Sequence, residues 1–282
     1  MQNLNLHIHD ATIACKLWGN PENPAILAVH GWLDNANSFD YIAHYLQEHY
    51  YFIAIDLPGH GHSSHLGPNS HYHLIDAVFT LAAILNALEL DKVHILGHSL
   101  GACLVSIAAG IIPERIHSLA LIEGLGPLTH PADTSCKQLS KYAHYLSVER
   151  TNKNKGYHSR DDATYARAKR GHVSVEIAAH LCERGIIEEQ GMFYWRHDKR
   201  LIAPSPLYLT EEQVLCCLQH ITVKTCLFWA SHGYSFNQEL LEIRMKQIKE
   251  LRLEYLEGGH HIHMEQPEAV ARLLVDFYSR LN

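Results

Sequence analysis

Apolar and polar positions divide the chain into short apolar runs separated by stretches of helical spacing. Residues 4–9 and 12–18 alternate with period two, which predicts an opening β-hairpin turning near Asp10. Residues 25–29 and 51–57 are continuous apolar runs, as strands buried on both faces require, and the second stops at Pro58-Gly59. Residues 38–48 predict a short amphipathic helix between them, and 73–90 carry apolar residues at helical spacing. A strand at 93–96, a helix at 100–112 and a strand at 116–122 follow. Strands alternating with helices imply a mostly parallel sheet with helical crossovers.

The rhythm breaks after Gly124-Leu125-Gly126-Pro127. Residues 128–219 are rich in charge and histidine, and helical stretches are predicted at 135–150, 163–170 and 173–182. Alternation resumes with a strand at 221–229, a helix at 238–250, a strand at 252–256 and a helix at 267–281. Residues 1–127 and 220–282 are therefore expected to form an α/β core, and 128–219 a mainly helical cap inserted into it.

Composition narrows the picture. A chain of 282 residues, 47% hydrophobic, can bury one large core with an insertion, and it shows no internal repeat. The formal charge of −7 argues against nucleic acid as a partner, because phosphate contacts need clustered Lys and Arg. Met1 to Asp10 lacks a basic region and a continuous apolar run, so no secretory signal is expected. The apolar stretches 77–90 and 100–112 are broken by Asn86 and Ser106 and are too short to span a bilayer. The seven cysteines, Cys15, Cys103, Cys136, Cys182, Cys216, Cys217 and Cys226, show no disulfide framework, which suits reduced thiols in the cytoplasm.

The 24 histidines include pairs two apart: His7 and His9, His60 and His62, His71 and His73, His261 and His263. On a strand such spacing puts both rings on one face, where they could chelate a divalent ion. No cysteine or carboxylate cluster at ligand spacing accompanies them, so solvated or core histidines, and no metal, are expected.

The segment carrying chemistry is Val93-His94-Ile95-Leu96-Gly97-His98-Ser99-Leu100-Gly101-Ala102. An apolar strand runs into a Gly-x-Ser-x-Gly turn and then a helix, the context that makes this motif specific. A nucleophile on such a corner sits in a strained backbone conformation, and its neighbours two before and two after must be small where strand and helix approach. The helix starting at Leu100 points its N-terminal amides at the site and favours developing negative charge. A serine hydroxyl needs a base, and the base an orienting acid, in the chain order Ser, Asp or Glu, His.

After the last predicted strand stand Gly258-Gly259-His260-His261-Ile262-His263. His260, first after the glycines, is the expected base; His261 is the reserve, and His263 belongs to the approach to the final helix. The loop after the predicted strand 221–229 holds no Asp or Glu until Glu239, which should already be helical. Glu123, at the C-terminal end of the predicted strand 116–122, is therefore the expected acid. Asp34 and Asp56 precede Ser99, break the order and suit turn hydrogen bonding better. An oxyanion hole would take one amide from Leu100 and one from Trp32 in His30-Gly31-Trp32. His30, also upstream of the serine, reads as a structural ring.

Four landmarks in order carry a resemblance: His30-Gly31-Trp32, Asp56-Leu57-Pro58-Gly59-His60-Gly61-His62-Ser63, Gly97-His98-Ser99-Leu100-Gly101, and Gly259-His260 followed by Glu265-Gln266-Pro267. Over nearly its whole length the chain resembles the α/β-hydrolase superfamily. His30-Gly31-Trp32-Leu33-Asp34-Asn35 and Leu121-Ile122-Glu123-Gly124-Leu125-Gly126-Pro127 look more narrowly like its serine hydrolase-like branch, related to haloalkane dehalogenases and epoxide hydrolases. Those relatives carry an aspartate nucleophile, so Ser99 argues against dehalogenation and epoxide opening. In some dehalogenases the acid is a glutamate after the strand before the cap, an analogy that supports Glu123. The resemblance implies a mostly parallel eight-stranded sheet with flanking helices and hydrolysis of an ester-like small molecule through an acyl-enzyme, in a carboxylesterase-like enzyme. Carbon–carbon or thioester hydrolysis on the same triad, or a slow small-molecule binding or sensor protein, are the alternatives. No cofactor, no nucleic acid, no membrane insertion and a monomer or homodimer are expected.

Overall fold

The computed structural model describes residues 1–148, 156–171 and 173–281. The strands are β1 (Gln2–Ile8), β2 (Ala11–Trp18), β3 (Ala25–Val29), β4 (Tyr51–Ile55), β5 (Val93–His98), β6 (Ile116–Ile122), β7 (Ile186–Glu189), β8 (Met192–Trp195), β9 (Thr225–His232) and β10 (Leu251–Gly259). Eight of them form one sheet in the order β1-β2-β4-β3-β5-β6-β9-β10. β2 runs antiparallel to β1 and β4, and every other pairing is parallel.

The helices are α1 (Asp40–Leu46), α2 (Leu74–Ala87), α3 (Leu100–Ile111), α4 (Ser135–Ser147), α5 (Arg160–Gly171), α6 (Val175–Gly185), α7 (Glu211–Gln219), α8 (Gln238–Met245), α9 (Ile262–Glu265) and α10 (Pro267–Ser279). The continuous apolar runs are strands whose side chains alternate between two cores. Leu27, Val29, Ile95 and Leu121 pack with α2, α3 and α7 on one face. Ile26, Ala28, Leu96 and Ile122 pack with α1 and α10 on the other. Burying both faces removes the polar alternation that a half-exposed strand would show.

β3 pairs with β4 on one side and β5 on the other, so the strand order reverses there. At such a switch point the connections leave in opposite directions and open a crevice at the carboxyl ends of the strands. The loop after β3 and the turn after β5 both emerge into it.

The segment between β6 and β9 contains α4 to α7 and the antiparallel hairpin β7–β8. The predicted helix 135–150 is α4 as far as Ser147, and positions 149 and 150 lie outside the described residues. Val214 and Leu218 of α7 join the core face of α3, so the end of the segment packs with the sheet domain. Two ion pairs onto buried carboxylates tie the rest to that domain: Arg184 of α6 with Asp56 at 2.8 Å, and Arg167 of α5 with Asp34. No helix among the described residues is long and apolar enough to cross a membrane.

Candidate active site

Ser99 caps α3 with φ 52° and ψ −114°, a conformation that costs a non-glycine residue about 1–3 kcal/mol and persists only where its surroundings enforce it. The enforcement is visible at both glycines. A Cβ on Gly97 would stand 2.6 Å from the Ala102 backbone, where strand meets helix. A Cβ on Gly101 would strike the carbonyl of Val29, so this second glycine is required by the neighbouring strand β3. The Ser99 amide donates to the Ile122 carbonyl at 2.9 Å, which ties the turn directly to the end of β6.

The residue after Ile122 is Glu123, also at positive φ (54°) and fully buried. Its amide donates to Phe228 O at 3.0 Å, so the β6–β9 ladder holds its backbone. The end of β9 and the loop after it then surround its carboxylate. Ala230 N donates to Oε1 at 2.6 Å and Tyr234 N to Oε2 at 3.1 Å. Gly233 supplies the room, because a Cβ there would collide with the carboxylate.

His260 leaves the end of β10 and completes the arrangement. Its Nε2 lies 2.8 Å from Ser99 Oγ, and its Nδ1 lies 3.1 Å from Glu123 Oε2. A carboxylate only accepts, so Nδ1 carries the proton and Nε2 presents its lone pair to the hydroxyl. The Gly259 amide donates to Glu265 Oε2 at 2.7 Å, fixing the approach to the ring.

The remaining histidines divide by geometry. His261 points away from Ser99, its Nε2 lying 3.0 Å from Asp34 Oδ2. His263 sits in α9 with Nε2 2.7 Å from Ser38 Oγ, and burial pushes its pKa well below the ordinary histidine value. His30 is fully buried between the Gly31 carbonyl (2.7 Å from Nδ1) and the Leu57 amide (3.0 Å from Nε2), and burial lowers its pKa. Glu239 is exposed on α8.

Asp56 behaves as a loop acceptor, taking the amides of Ala36 and His62 at 2.7 Å each, as well as Arg184. Asp34 differs from the turn role expected of it: its side chain is buried against His261 and Arg167. Burial raises its pKa, but those two partners outweigh it and hold the group well below the usual carboxylate range. Asp34 Oδ2, His98 and His261 place three potential metal-ligating atoms within 4.8 Å of one another.

Trp32 and Leu100 are the expected donors to an oxyanion: Leu100 follows the nucleophile in the chain, and Trp32 follows Gly31, which lies beside it in space. Leu100 is the first residue of α3, whose leading amides have no partner within the helix. A Cβ on Gly31, just before Trp32, would stand 3.2 Å from Ser99 Cβ, which places this loop beside the nucleophile. The Trp32 indole is half exposed and donates to Leu201 O at 3.0 Å across the insert. A narrow cleft of about 10 Å³, partly open to solvent, is lined by Leu33, Asp34, Asn35, Arg167, Leu181 and Trp195. Gly233, the amides of Ala230 and Tyr234, and Arg167 were not among the expected site residues. Only Gly233, a glycine in the loop after a core strand, left a trace in the sequence.

A family model described as the alpha/beta hydrolase fold matches residues 24–267. The chain belongs to the α/β-hydrolase family. Among its members this hydrolase is 30% identical to a serine hydrolase-like protein of Dictyostelium discoideum, over 98% of this chain and 81% of that one. It is 28% identical to human serine hydrolase-like protein 2, over 97% and 93% of the two chains. Among solved structures, a hypothetical protein of Pseudomonas aeruginosa PAO1 superposes with a TM-score of 0.93 at 32% identity, covering 99% of each chain. The thioesterase domain from the curacin biosynthetic pathway superposes at 0.87 and 26%, covering 98% of this α/β-hydrolase and 99% of that domain.

Proposed function

We propose that this α/β-hydrolase cleaves carboxylic esters of small molecules through an acyl-enzyme on Ser99. The observation that carries the reading is the unbroken relay from Ser99 Oγ through both nitrogens of His260 to Glu123. His260 Nε2 takes the hydroxyl proton as Oγ bonds to the ester carbonyl carbon. The carbonyl oxygen becomes an oxyanion between the amides of Trp32 and Leu100. Collapse breaks the bond to the leaving oxygen, which receives the proton from His260 and departs as the alcohol. Water repeats the sequence on the acyl-enzyme, releasing the acid and restoring Ser99. Glu123 stays ionised throughout and stabilises the imidazolium. Residues 128–219 act as the cap that sets substrate size, with the cleft beside Arg167 at its base. The seven unpaired cysteines, three of them buried, suit a reducing compartment.

Thioester cleavage is the second reading, favoured by the likeness to the curacin-pathway thioesterase domain. A binding protein without turnover would need the relay interrupted, and the hydrogen bonds from Ser99 to Glu123 argue against it.

The test is a matched series of aryl esters and acyl thioesters of two to twelve carbons, with fluorophosphonate labelling alongside. Labelling lost in Ser99→Ala, with kcat/KM higher for esters, is the expected result. Higher kcat/KM for thioesters would move the assignment to the second reading. An unreactive Ser99 would sink both.

A further inference from the structure

Beneath the relay lies a second cluster that the hydrolytic scheme does not use. Asp34 Oδ2 is 3.0 Å from His261 Nε2 and 3.6 Å from His98 Nδ1, and all three residues are buried. His98 donates its Nε2 proton to the His260 carbonyl at 2.9 Å. Its Nδ1 is therefore a lone pair, buried, without a hydrogen-bond partner and turned toward a carboxylate oxygen. Two acceptors facing each other in a dry site repel, and His98 Nδ1 loses solvation that nothing replaces.

A cation between the acceptors resolves the conflict. We propose that Asp34 Oδ2, His98 Nδ1 and His261 Nε2, the last after its proton moves to the unpartnered Nδ1 of the same ring, form a site for one first-row divalent cation, of which zinc is the chemical type, in competition with Arg167 for Asp34. Zinc–ligand bonds of about 2.1 Å in a tetrahedral site put ligand atoms roughly 3.4 Å apart; the two edges to Asp34 Oδ2 are 3.0 and 3.6 Å, and the third is no longer than 4.8 Å. A histidine ligand ordinarily donates its other ring N–H to a carbonyl or carboxylate, as His98 does. Gly31 leaves space at the donors, since a Cβ there would stand 3.0 Å from His98 Nδ1 and 3.1 Å from Asp34 Oδ2. The cleft beside Asp34 and Arg167 is the way in.

Arg167 already holds Asp34 Oδ1. A guanidinium beside a divalent ion is repulsive, so cation binding and the Arg167 contact oppose each other. The exposed His7 and His9 have neither a carboxylate between them nor a buried setting, and they are the natural internal control.

The full-length protein, stripped with a chelator, is titrated with zinc chloride by calorimetry and by equilibrium dialysis with metal analysis. One equivalent should bind at least about 10-fold more tightly than any further zinc, lose about 10-fold or more in Asp34→Asn and His261→Gln, and survive loss of His7 and His9. Arg167→Met should tighten it by about 10-fold. Anomalous scattering from a zinc-soaked crystal should place the ion on the three named atoms. If Asp34→Asn does not fold, the visible spectrum of cobalt in the wild type and in Arg167→Met decides, through the strong bands of a four- or five-coordinate site. Tight zinc that persists in both ligand variants, an ion found only elsewhere, an unchanged affinity in Arg167→Met, or a purely octahedral cobalt spectrum would each overturn the proposal.

Discussion

Replacing Glu123 by Gln keeps the volume of the side chain and removes its charge. Glu123 accepts from three donors, Ala230 N, Tyr234 N and His260 Nδ1. A glutamine has one accepting end. If its oxygen stays on Ala230 N, its NH2 faces the Tyr234 amide and the imidazole N–H together. The imidazole then shifts its proton to Nε2, where it opposes the Ser99 hydroxyl instead of accepting from it. The lost charge adds to the lost geometry. A carboxylate 3.1 Å from an imidazolium, at an effective dielectric of about 20, is worth about 5 kcal/mol. At 1.36 kcal/mol per tenfold that approaches 10⁴ in rate. The fold should survive at a cost of about 1–3 kcal/mol for the unsatisfied amide. Steady-state hydrolysis of p-nitrophenyl acetate should show kcat lower by about 10³–10⁴, with Glu239→Gln unchanged and Ser99→Ala as the floor. A Glu123→Gln enzyme within about tenfold of wild type would refute the assignment of Glu123 as the acid.

Three further outcomes are expected. Gly233→Ala, whose Cβ would enter the space of the Glu123 carboxylate, should lower kcat by about 100-fold or more in the same assay; full activity would show that the loop yields without moving the acid. Arg184→Met leaves Asp56 buried and unpaired, at about 3–5 kcal/mol, and calorimetry should record a Tm lower by about 6–15 °C. His60 and His98 have pKa values pushed down to about 3, chiefly by burial, so the unfolded chain binds more protons than the folded one between there and 6.5. Stability is thus full above pH 6.5 and is lost as the pH falls. Urea melts should show a loss of about 2.7 kcal/mol between pH 7.5 and 5.5 from these two rings, and a loss under about 1 kcal/mol would contradict their neutral burial.

Where a residue's surroundings are set by its neighbours in the chain, its place could be read from the sequence. The core strands are apolar runs because both faces are covered, and the Ser99 turn is local, needing only Gly97, Gly101 and the flanking periodicities. The strand predicted at 221–229 lies instead at Thr225–His232, because Ile221 is buried in the turn after α7 and extends the apolar run backward. The hairpin β7–β8 lies where the spacing predicts no strand. Its turn residues Gln190 and Gly191 both adopt positive φ, and the usual Asn-Gly or Asp-Gly signal is absent. Nothing near Asp34 in the chain predicts more than a turn role for it. Its actual partners, Arg167 and His261, lie 133 and 227 residues away, and no periodicity relates them. Glu123 was reached by elimination along the chain. What the sequence could not convey is that the end of β9 and the acid-free loop after it fold around Glu123 with two amides and a glycine.

The direct bond between the Ser99 amide and the Ile122 carbonyl has a consequence for how such a protein can change over time. Nucleophile and acid are spaced by the ladder of two adjacent strands, and neither depends on the length of a surface loop. Residues 231–237 can therefore lengthen or exchange sequence, provided Gly233 and the backbone donors on either side of it persist. A new substrate wall could be grafted beside the relay there without rebuilding it.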